Sequence, residues 1–208
     1  MSALDPITQE RVYQAVKGDY LAGIYQQGMQ LDIQGIADRH RASKTPVREA
    51  VHRLMGERLV EPDPKGGFRI PHLGPEELIH IYAWNAHLLL SLTHSMKSSV
   101  LRQTLDRFAS LDMGDTPLAL VSFTGAIFTA FAEASGNSEA TATIGNINER
   151  LLYSRIAETT DLTEAARELR TLTNSAVADV QKNVRRRIES YHVRKIERQQ
   201  RLKEENQL

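Results

Sequence analysis

Hydrophobic residues recur at helical spacing in three segments near the start of the chain, residues 8–24, 33–40 and 44–57. Apolar side chains three or four positions apart share one face of a helix, so each segment is predicted to be helical with that face inward. The residues expected to face inward are, helix by helix, Val12, Val16, Tyr20 and Ile24; Ile33, Ile36 and Ala37; and Val47, Ala50, Val51 and Leu54. A three-residue turn, RAS at 41–43, separates the last two helices, and Ser43 or Thr45 can cap the third.

The periodicity changes after the third segment. RLVEPDP (58–64) and FRIPHL (68–73) alternate apolar and polar residues on either side of KGG, which is typical of a β-hairpin. Three helices and a hairpin within about 70 residues form the outline of a winged helix-turn-helix, a DNA-binding fold. Gly74 and Pro75 then interrupt the pattern, so we place a domain boundary there, with residues 1–73 as the first domain and 74–208 as the second.

The second domain shows helical periodicity throughout and no strand signal. Six helices are predicted, near residues 76–96, 99–111, 117–135, 139–157, 162–178 and 181–203. The expected fold class is therefore mainly α: an N-terminal winged helix-turn-helix followed by an all-helical bundle of about 130 residues.

Composition is that of a soluble globular protein. Hydrophobic residues make up 41%, and 26 basic residues balance 26 acidic ones. The absence of cysteine excludes disulfides and thiolate chemistry. The opening MSALDPITQE lacks the apolar core of a secretory signal, and the apolar stretch at 118–134 is short and interrupted by polar residues, which favours a buried helix over a membrane span. We expect a cytoplasmic protein with no membrane partner, located at the nucleoid if it binds DNA.

The cations are distributed unevenly. Residues 39–58 contain six basic and two acidic residues, around the start of the second helix of the helix-turn-helix. In that motif the N-terminal turns of the second helix enter the major groove, where an arginine fork can bind guanine. The alternative is an ordinary solvated face, in which Glu49 and Arg53 form an i,i+4 pair. Charge alone leaves both interpretations open.

A longer motif favours the DNA-binding interpretation of these cations. ASKTPVREAVHRLMGERLVEPDPKGGFRI (42–70), with GIYQQGMQLDIQGIADRH upstream, resembles the GntR family of bacterial transcription regulators over about residues 8–72. The resemblance implies operator binding as a symmetric dimer. It also implies that the DNA contacts come from the turn, the start of the third helix and the wing: Arg41, Ser43, Lys44, Thr45, Arg48, Lys65 and Gly66. Three residues depart from the family pattern, and one of them is Gln34, which stands where one subgroup has an arginine that contacts phosphate. Lys44 replaces an arginine, and Arg58 replaces a glycine, so we expect no positive φ at Arg58.

The second half resembles, more weakly, the helical FCD-like effector domain of the FadR-type subfamily, through EELIHIYAWNAHLLL, AEASGN and LLYSR. That domain often holds a metal through one Asp and three His, and the metal binds a small carboxylate. Here the Asp position falls on Thr124 and the next ligand position on Phe128, and His192 is left alone as a ligand. We therefore expect no metal and no cofactor.

An apolar pocket with a few polar groups is expected instead. Its candidate effector-binding residues are Asn85, Thr124, Phe128, Arg155 and His192. Four of them have a plainer interpretation: Asn85 as a satisfied core group, Thr124 bonded within its own helix, Phe128 as core, and Arg155 as a surface ion pair.

Two further features are interpreted as surfaces. His80, His87 and His94 recur every seven residues, too far apart for one metal, and are predicted to lie with Trp84 on the outer face of their helix, solvated or against another subunit. Residues 182–203 contain nine basic and two acidic residues, and a solvated helical tail is favoured over a nucleic-acid contact.

The sequence thus predicts a DNA-binding regulator, a repressor, that acts as a homodimer on double-stranded DNA and responds to a small molecule. The alternative is a winged-helix module for protein contacts that is not sequence-specific on DNA. A helical enzyme is disfavoured because no nucleophile elbow, P-loop or zincin pair is present in the sequence.

Overall fold

The computed structural model describes residues 6–205, which divide into two compact units between His72 and Leu73. The first half of the opening segment MSALDPITQE lies outside the described residues. The two units are described separately below.

The N-terminal unit contains three helices and a hairpin, which confirms the predicted winged helix-turn-helix. Its elements are α1 (Pro6–Leu21), α2 (Ile33–Arg39), α3 (Lys44–Gly56), β1 (Glu61–Pro62) and β2 (Phe68–Arg69). α1 packs against α3, and the buried faces of the two helices carry Val12 and Val16 opposite Val47 and Val51. Burial of this apolar stripe fixes α3 with its opposite face outward.

The wing is larger than the hairpin alone. β1 and β2 are antiparallel, with Glu61 opposite Arg69. The segment at residues 28–31 runs along the other edge of β2: the Leu31 amide donates to the Phe68 carbonyl at 2.8 Å, and the Ile70 amide donates to the Met29 carbonyl at 2.9 Å. The sequence pattern indicates only a break between helices at this segment, although the segment anchors the wing to the unit.

Both helices that flank the turn are followed by an arginine in the left-handed region, φ 48° at Arg41 and φ 61° at Arg58. At Arg58 the amide donates to the Met55 carbonyl, and the next amide, of Leu59, donates to the Leu54 carbonyl, both at 2.9 Å. This pair of bonds is the Schellman motif, whose C′ position is usually glycine. The expectation that Arg58 avoids positive φ is therefore wrong: the hydrogen-bonding pattern and the buried Leu54 and Leu59 keep the motif although the glycine is absent.

The second unit is all-helical over its described residues. Its helices are α4 (Pro75–Ser95), α5 (Ser98–Ala109), α6 (Pro117–Ala134), α7 (Ser138–Arg150), α8 (Leu152–Glu158), α9 (Leu162–Thr173) and α10 (Val180–Glu205). The helix predicted over 139–157 is two helices, broken at Leu151. Residues 151–155 are buried without interruption, and one straight helix cannot bury five consecutive side chains against a neighbour on one side.

α6 lies at the core of this unit, where Ile127, Phe128 and Phe131 are inaccessible to solvent. By length and composition α6 could cross a membrane, but 56% of it is buried inside the protein, as a core helix requires. α10 packs along α4, and α7, α8 and α9 contact α6. This arrangement brings α4, α6, α8 and α10 around one polar cluster, described below.

Candidate nucleic-acid interface and pocket of the helical unit

The first turn of α3 presents polar side chains to solvent. Ser43, Lys44, Thr45 and Arg48 are exposed, while Pro46 and Val47 among them are buried. Ser43 is the N-cap residue, yet its side chain makes no capping hydrogen bond. The first amides of the helix and two hydroxyl groups therefore face outward together, an arrangement that suits an anion such as a phosphate.

The cations around α3 fall into two groups. The first is engaged within the unit: Arg39 donates to Asp19 at 2.8 Å, and Arg53 donates to Glu10 at 2.7 Å and lies 3.6 Å above the ring of Tyr13. These two arginines hold α2 and α3 to α1. Glu10, not Glu49, is the ion-pair partner of Arg53.

The other group consists of Lys44 and Arg48, which lie one helical turn apart on the same exposed face. Within residues 6–205 neither side chain makes a hydrogen bond or an ion pair. Arg41, in the turn just before them, is also exposed. Arg58, just after the end of α3, is also exposed and its side chain has no partner among the described residues, so three of the four unpaired cations around α3 lie at the start of the helix.

Asp19 organises the base of this surface. The residue is 8% exposed, and its carboxylate accepts hydrogen bonds from Arg39 and His40 at 2.8 Å and from the Tyr25 hydroxyl at 3.3 Å. Burial raises the pKa of Asp19, but the hydrogen bonds from His40 and Arg39 outweigh it, so the net pKa is lowered. The charged carboxylate therefore clamps the end of α2 onto α1.

The wing lies beside α3. His52 continues the exposed face of Lys44 and Arg48, and its ring meets Phe68 of β2 edge to face, with centroids 5.2 Å apart. At the tip, Lys65 and Gly66 are exposed, and the Gln30 amide donates to the Gly66 carbonyl at 2.8 Å. His52 and Gln30 are not among the residues predicted from the sequence. The i,i+8 spacing from Lys44 could have indicated His52, whereas nothing local indicates Gln30.

The helical unit buries a polar cluster at its centre. Asn85 of α4 donates its amide to His192 Nε2 of α10 at 3.1 Å, and His192 Nδ1 donates to the Ile188 carbonyl at 2.7 Å. Burial lowers the pKa of His192 to about 3, with the charges of Arg155 and Lys195 acting in the same direction. His192 is therefore neutral near pH 7, and its ring stacks on Phe128 at 5.4 Å.

Arg155 of α8 completes the cluster. It is 1% exposed, lies 5.6 Å from the centre of the Phe128 ring, and donates from Nη1 to Asn148 Oδ1 at 3.0 Å. Its Nε and Nη2, like Asn85 Oδ1, have no hydrogen-bond partner among the described residues. Arg155 is therefore buried, and the plainer interpretation of it as a member of a surface ion pair is wrong.

A cavity of about 30 Å³ lies against Arg155. Thr124 also lines it, and its hydroxyl donates to the Leu120 carbonyl at 2.9 Å, as its plainer interpretation expected. His192 contacts both Asn85 and Phe128, and none of these three residues is part of the cavity wall. The five candidate effector residues are thus brought close together, but only two of them face the open space.

Comparison with known proteins bears first on the winged unit. Residues 8–70 match the family described as bacterial regulatory proteins, gntR family. The N-terminal unit is a GntR-family winged helix-turn-helix domain. A stretch of 82 residues is 29% identical to the HTH-type transcriptional repressor GlaR of Escherichia coli (strain K12). That stretch is 39% of this chain and spans 37% of the repressor's length.

The fold of the whole chain also has solved counterparts. E. coli McbR/YncC superposes with a TM-score of 0.71 at 17% identity, covering 93% of this chain and 97% of that one. A GntR regulator structure from Rhodococcus sp. RHA1 gives a TM-score of 0.70 at 15% identity, covering 90% and 97%. At these identities the likeness shows the fold alone: a winged domain followed by a helical domain.

The metal site that the FadR-type resemblance implies does not fit this chain. No group of three or more His, Cys, Asp or Glu side chains in the part of the chain described here is arranged to hold a metal. Thr124 and Phe128 stand at two ligand positions, and both nitrogens of His192 are already hydrogen-bonded within the protein. A hydroxyl bonded to its own helix and a phenyl ring provide no ligand for a divalent cation.

The seven-residue spacing of three histidines correctly predicted that they lie on the outer face of α4. His80, His87 and His94 are exposed, and Trp84 beside them is 56% exposed. On α10 the apolar residues Val184, Ile188 and Tyr191 are buried, while Arg185, Arg186 and Arg194 are exposed. α10 nonetheless remains helical through Glu205.

Proposed function

We propose that this protein is a GntR-type transcription regulator, a repressor, that binds a pseudo-palindromic operator as a homodimer and responds to a small molecule in its helical unit. The observation that carries the proposal is the exposed pair Lys44 and Arg48, which has no partner among the described residues, at the N-terminus of α3 in a GntR-family domain. The matching family comprises regulatory proteins, not enzymes. Such a protein acts in the cytoplasm, at the nucleoid.

Each part of the surface has a separate role in this proposal. Arg48 reads a base edge in the major groove, because its planar fork matches the paired acceptors of guanine. Lys44, as a compact point charge, contacts a phosphate or a single acceptor. Ser43, Thr45 and the first amides of α3 hold flanking phosphates. The remaining contacts run along the DNA backbone and come from Arg41, Lys65 and Gly66.

Homodimerisation follows from the way such domains read DNA. One α3 covers only a half-site, and two copies related by a two-fold axis read two half-sites one helical turn apart or a multiple of it. A two-fold protein therefore favours a pseudo-palindromic site. The exposed outer face of α4, with Trp84, is available for subunit contact.

The helical unit supplies the regulation. A ligand changes DNA affinity only if it binds the DNA-competent and incompetent arrangements with different affinities. The repressor name of the E. coli relative supports the proposed sign of regulation.

Mobility-shift titration on the DNA upstream of the protein's own gene, over a series of salt concentrations, tests the proposal. Specific binding should exceed binding to a scrambled duplex by ~10³-fold or more, and should weaken linearly in log affinity against log salt. Equal, weak binding to both duplexes at every salt concentration would favour the alternative, a winged-helix module for protein contacts.

A further inference from the structure

The cations of α10 differ in whether a carboxylate pairs with them. In the second half of the helix, Arg194 pairs with Glu168, and Lys195 pairs with Glu158 at 3.0 Å. These ion pairs tie α10 to α9 and α8, so the charges of the two cations are compensated within the helical unit.

The first two turns of α10 carry four cations that pair with no carboxylate within residues 6–205: Lys182, Arg185, Arg186 and Arg187. The first three of them are exposed. The side chain of Arg186 donates only to the amide oxygen of Asn183, at 3.1 Å. Four positive charges therefore lie within two turns of one helix without an ion pair.

Two arginines from different helices contact the loop between α9 and α10. Arg187 donates to the Asn174 carbonyl at 2.6 Å. Arg102 of α5 donates to the carbonyls of Ser175 at 2.5 Å and Val177 at 2.7 Å. Because Asn174 and Ser175 are neighbours, Arg102 brings a fifth cation to the start of α10. Carbonyl groups satisfy the donors but carry no net charge, so both arginines keep an uncompensated charge.

The acids of this region are engaged with neutral groups. Asp179 accepts the main-chain amide of Lys182 at 2.9 Å, as an N-cap residue does, and Asp106 accepts the Ser175 hydroxyl at 2.5 Å. Because Asp179 already caps the helix, attraction for an anion comes from the side chains and not from the first amides of α10. Five cations and two acids leave a local excess of three positive charges.

The cations also repel each other. Burial lowers the pKa of the Arg187 guanidinium, and the neighbouring charge of Arg186 lowers that pKa further. Like charges this close destabilise the folded state unless an anion lies between them.

We propose that five residues form a basic cluster that binds a small oligophosphate, a short chain of phosphate groups such as that of a nucleoside triphosphate: Arg102, Lys182, Arg185, Arg186 and Arg187. Guanidinium groups bind phosphate oxygens in pairs, and a lysine adds a compact point charge. The proposal goes beyond transcription regulation, since none of the five residues belongs to α3, to the wing or to the wall of the cavity beside Arg155.

The size of the basic cluster favours a small ligand over a nucleic acid. From Lys182 to Arg187 the helix rises only about 7.5 Å. The next charged residue along α10 is the acid Glu189, so the cluster does not continue into a basic stripe that could follow a DNA backbone.

Isothermal titration calorimetry of the full-length protein with inorganic triphosphate, without DNA or divalent metal, tests the proposal. Ionic strength is held constant so that general screening does not change during the titration. Triphosphate should saturate one site per subunit. Orthophosphate, which offers fewer charge-assisted hydrogen bonds, should bind roughly tenfold more weakly or worse.

Variants assign the binding to the basic cluster. The double variant Arg185→Gln, Arg186→Gln removes two exposed guanidinium groups and keeps the two arginines that hold the loop. Each lost charge-assisted hydrogen bond weakens binding roughly tenfold, so the double variant should bind about 100-fold more weakly. Arg201→Gln is the matched control, because Arg201 is an exposed arginine of the same helix without a partner among the described residues. Arg201→Gln and Arg48→Gln should both bind triphosphate as the wild type does.

Four results would overturn the proposal. Triphosphate could fail to bind, or orthophosphate could bind as tightly. Equal losses in Arg201→Gln and in the double variant would indicate a general attraction to positive charge. A loss in Arg48→Gln with binding kept in the double variant would locate the anion at α3. If triphosphate does not bind but the double variant loses affinity for random-sequence DNA, the basic cluster contacts nucleic acid and not a small ligand.

Discussion

Among single residues, ion pairs decide which cations of the winged unit are available to a ligand. Arg39 and Arg53 are held by Asp19 and Glu10, whereas Lys44 and Arg48 on the exposed side of α3 are not paired within the described residues. From the sequence, Arg53 is interpreted as part of a solvated face, with Glu49 as a possible partner, and no partner is predicted for Arg39. The partners of Arg39 and Arg53 come from α1, 20 and 43 positions earlier in the chain, beyond the reach of any local pattern.

Arg58→Gly should stabilise the winged unit by roughly 0.5–1 kcal/mol. Arg58 occupies the left-handed region at φ 61°, which costs a residue with a Cβ about 1–2 kcal/mol, partly offset by the larger unfolded-state entropy of glycine. Chemical denaturation measures the change. Arg41→Gly, at φ 48°, should stabilise in the same way but weaken DNA binding. A drop in stability in Arg58→Gly would contradict this explanation of the helix end.

His192 should make the helical unit less stable in mild acid. Its folded pKa of about 3 lies below the unfolded value of ~6.5, so between these values the unfolded state binds the extra proton. Stability is therefore lost as pH falls from about 6.5 towards 3, by at most about 1.4 kcal/mol per pH unit.

Denaturant titrations between pH 7 and 4 should show a shallower dependence in His192→Gln, whose amide can still accept from Asn85. His80→Gln, which removes an exposed histidine from α4, is the control and should keep the wild-type slope. Parallel pH profiles for His192→Gln and the wild type would show that His192 does not titrate on unfolding as proposed.

Among the elements, most helices follow from the apolar spacing, because each buries one stripe against a neighbour. The failures have physical causes. All five residues of LLYSR (151–155) are buried. Their side chains therefore show no apolar periodicity that could reveal the break between two helices at Leu151. The strand-like segment at 28–31 is held by backbone hydrogen bonds to Phe68 and Ile70. Because backbone bonds do not depend on the side chains, this segment shows no alternating pattern of apolar and polar residues.

If Lys65 contacts a DNA phosphate, the wing adds affinity for DNA without adding a preference for any sequence. Lys65→Gln should weaken binding to operator and random DNA by the same factor, and should reduce the slope of log affinity against log salt by about 0.9 for each phosphate that Lys65 neutralises. Filter binding over a salt series measures both. Lys97→Gln, an exposed lysine of the helical unit, should change neither. An effect of Lys65→Gln on the operator alone would instead indicate a base contact.

For the molecule as a whole, the winged helix could be foreseen in detail and the interior of the helical unit could not. The motif TPVREA is local and specific, so it locates the exposed start of α3. The contact between Asn85 and His192 joins residues 107 positions apart, and the missing counter-charge of Arg155 is visible only when its described neighbours are known. The sequence identifies the five candidate effector residues, but it does not show that only Thr124 and Arg155 line the cavity.

The purified full-length protein should carry no stoichiometric transition metal, because Thr124 and Phe128 replace the ligands that the resemblance implies. Elemental analysis should find well below one metal ion per subunit, and a chelator should leave the melting temperature unchanged. One tightly bound transition metal per subunit would show that ligands outside this cluster bind it.

The regulator proposal depends above all on the segment from Ser43 lying in a DNA groove with Arg48 aimed at a base edge. A comparison of wild type with Arg48→Ala, on the operator and on random DNA at one salt concentration, examines this directly. We expect binding to the operator to weaken by roughly 1–3 kcal/mol, binding to random DNA to weaken much less, and base preference to relax at one base pair of each half-site. Equal weakening on both DNAs would contradict the proposed role of Arg48.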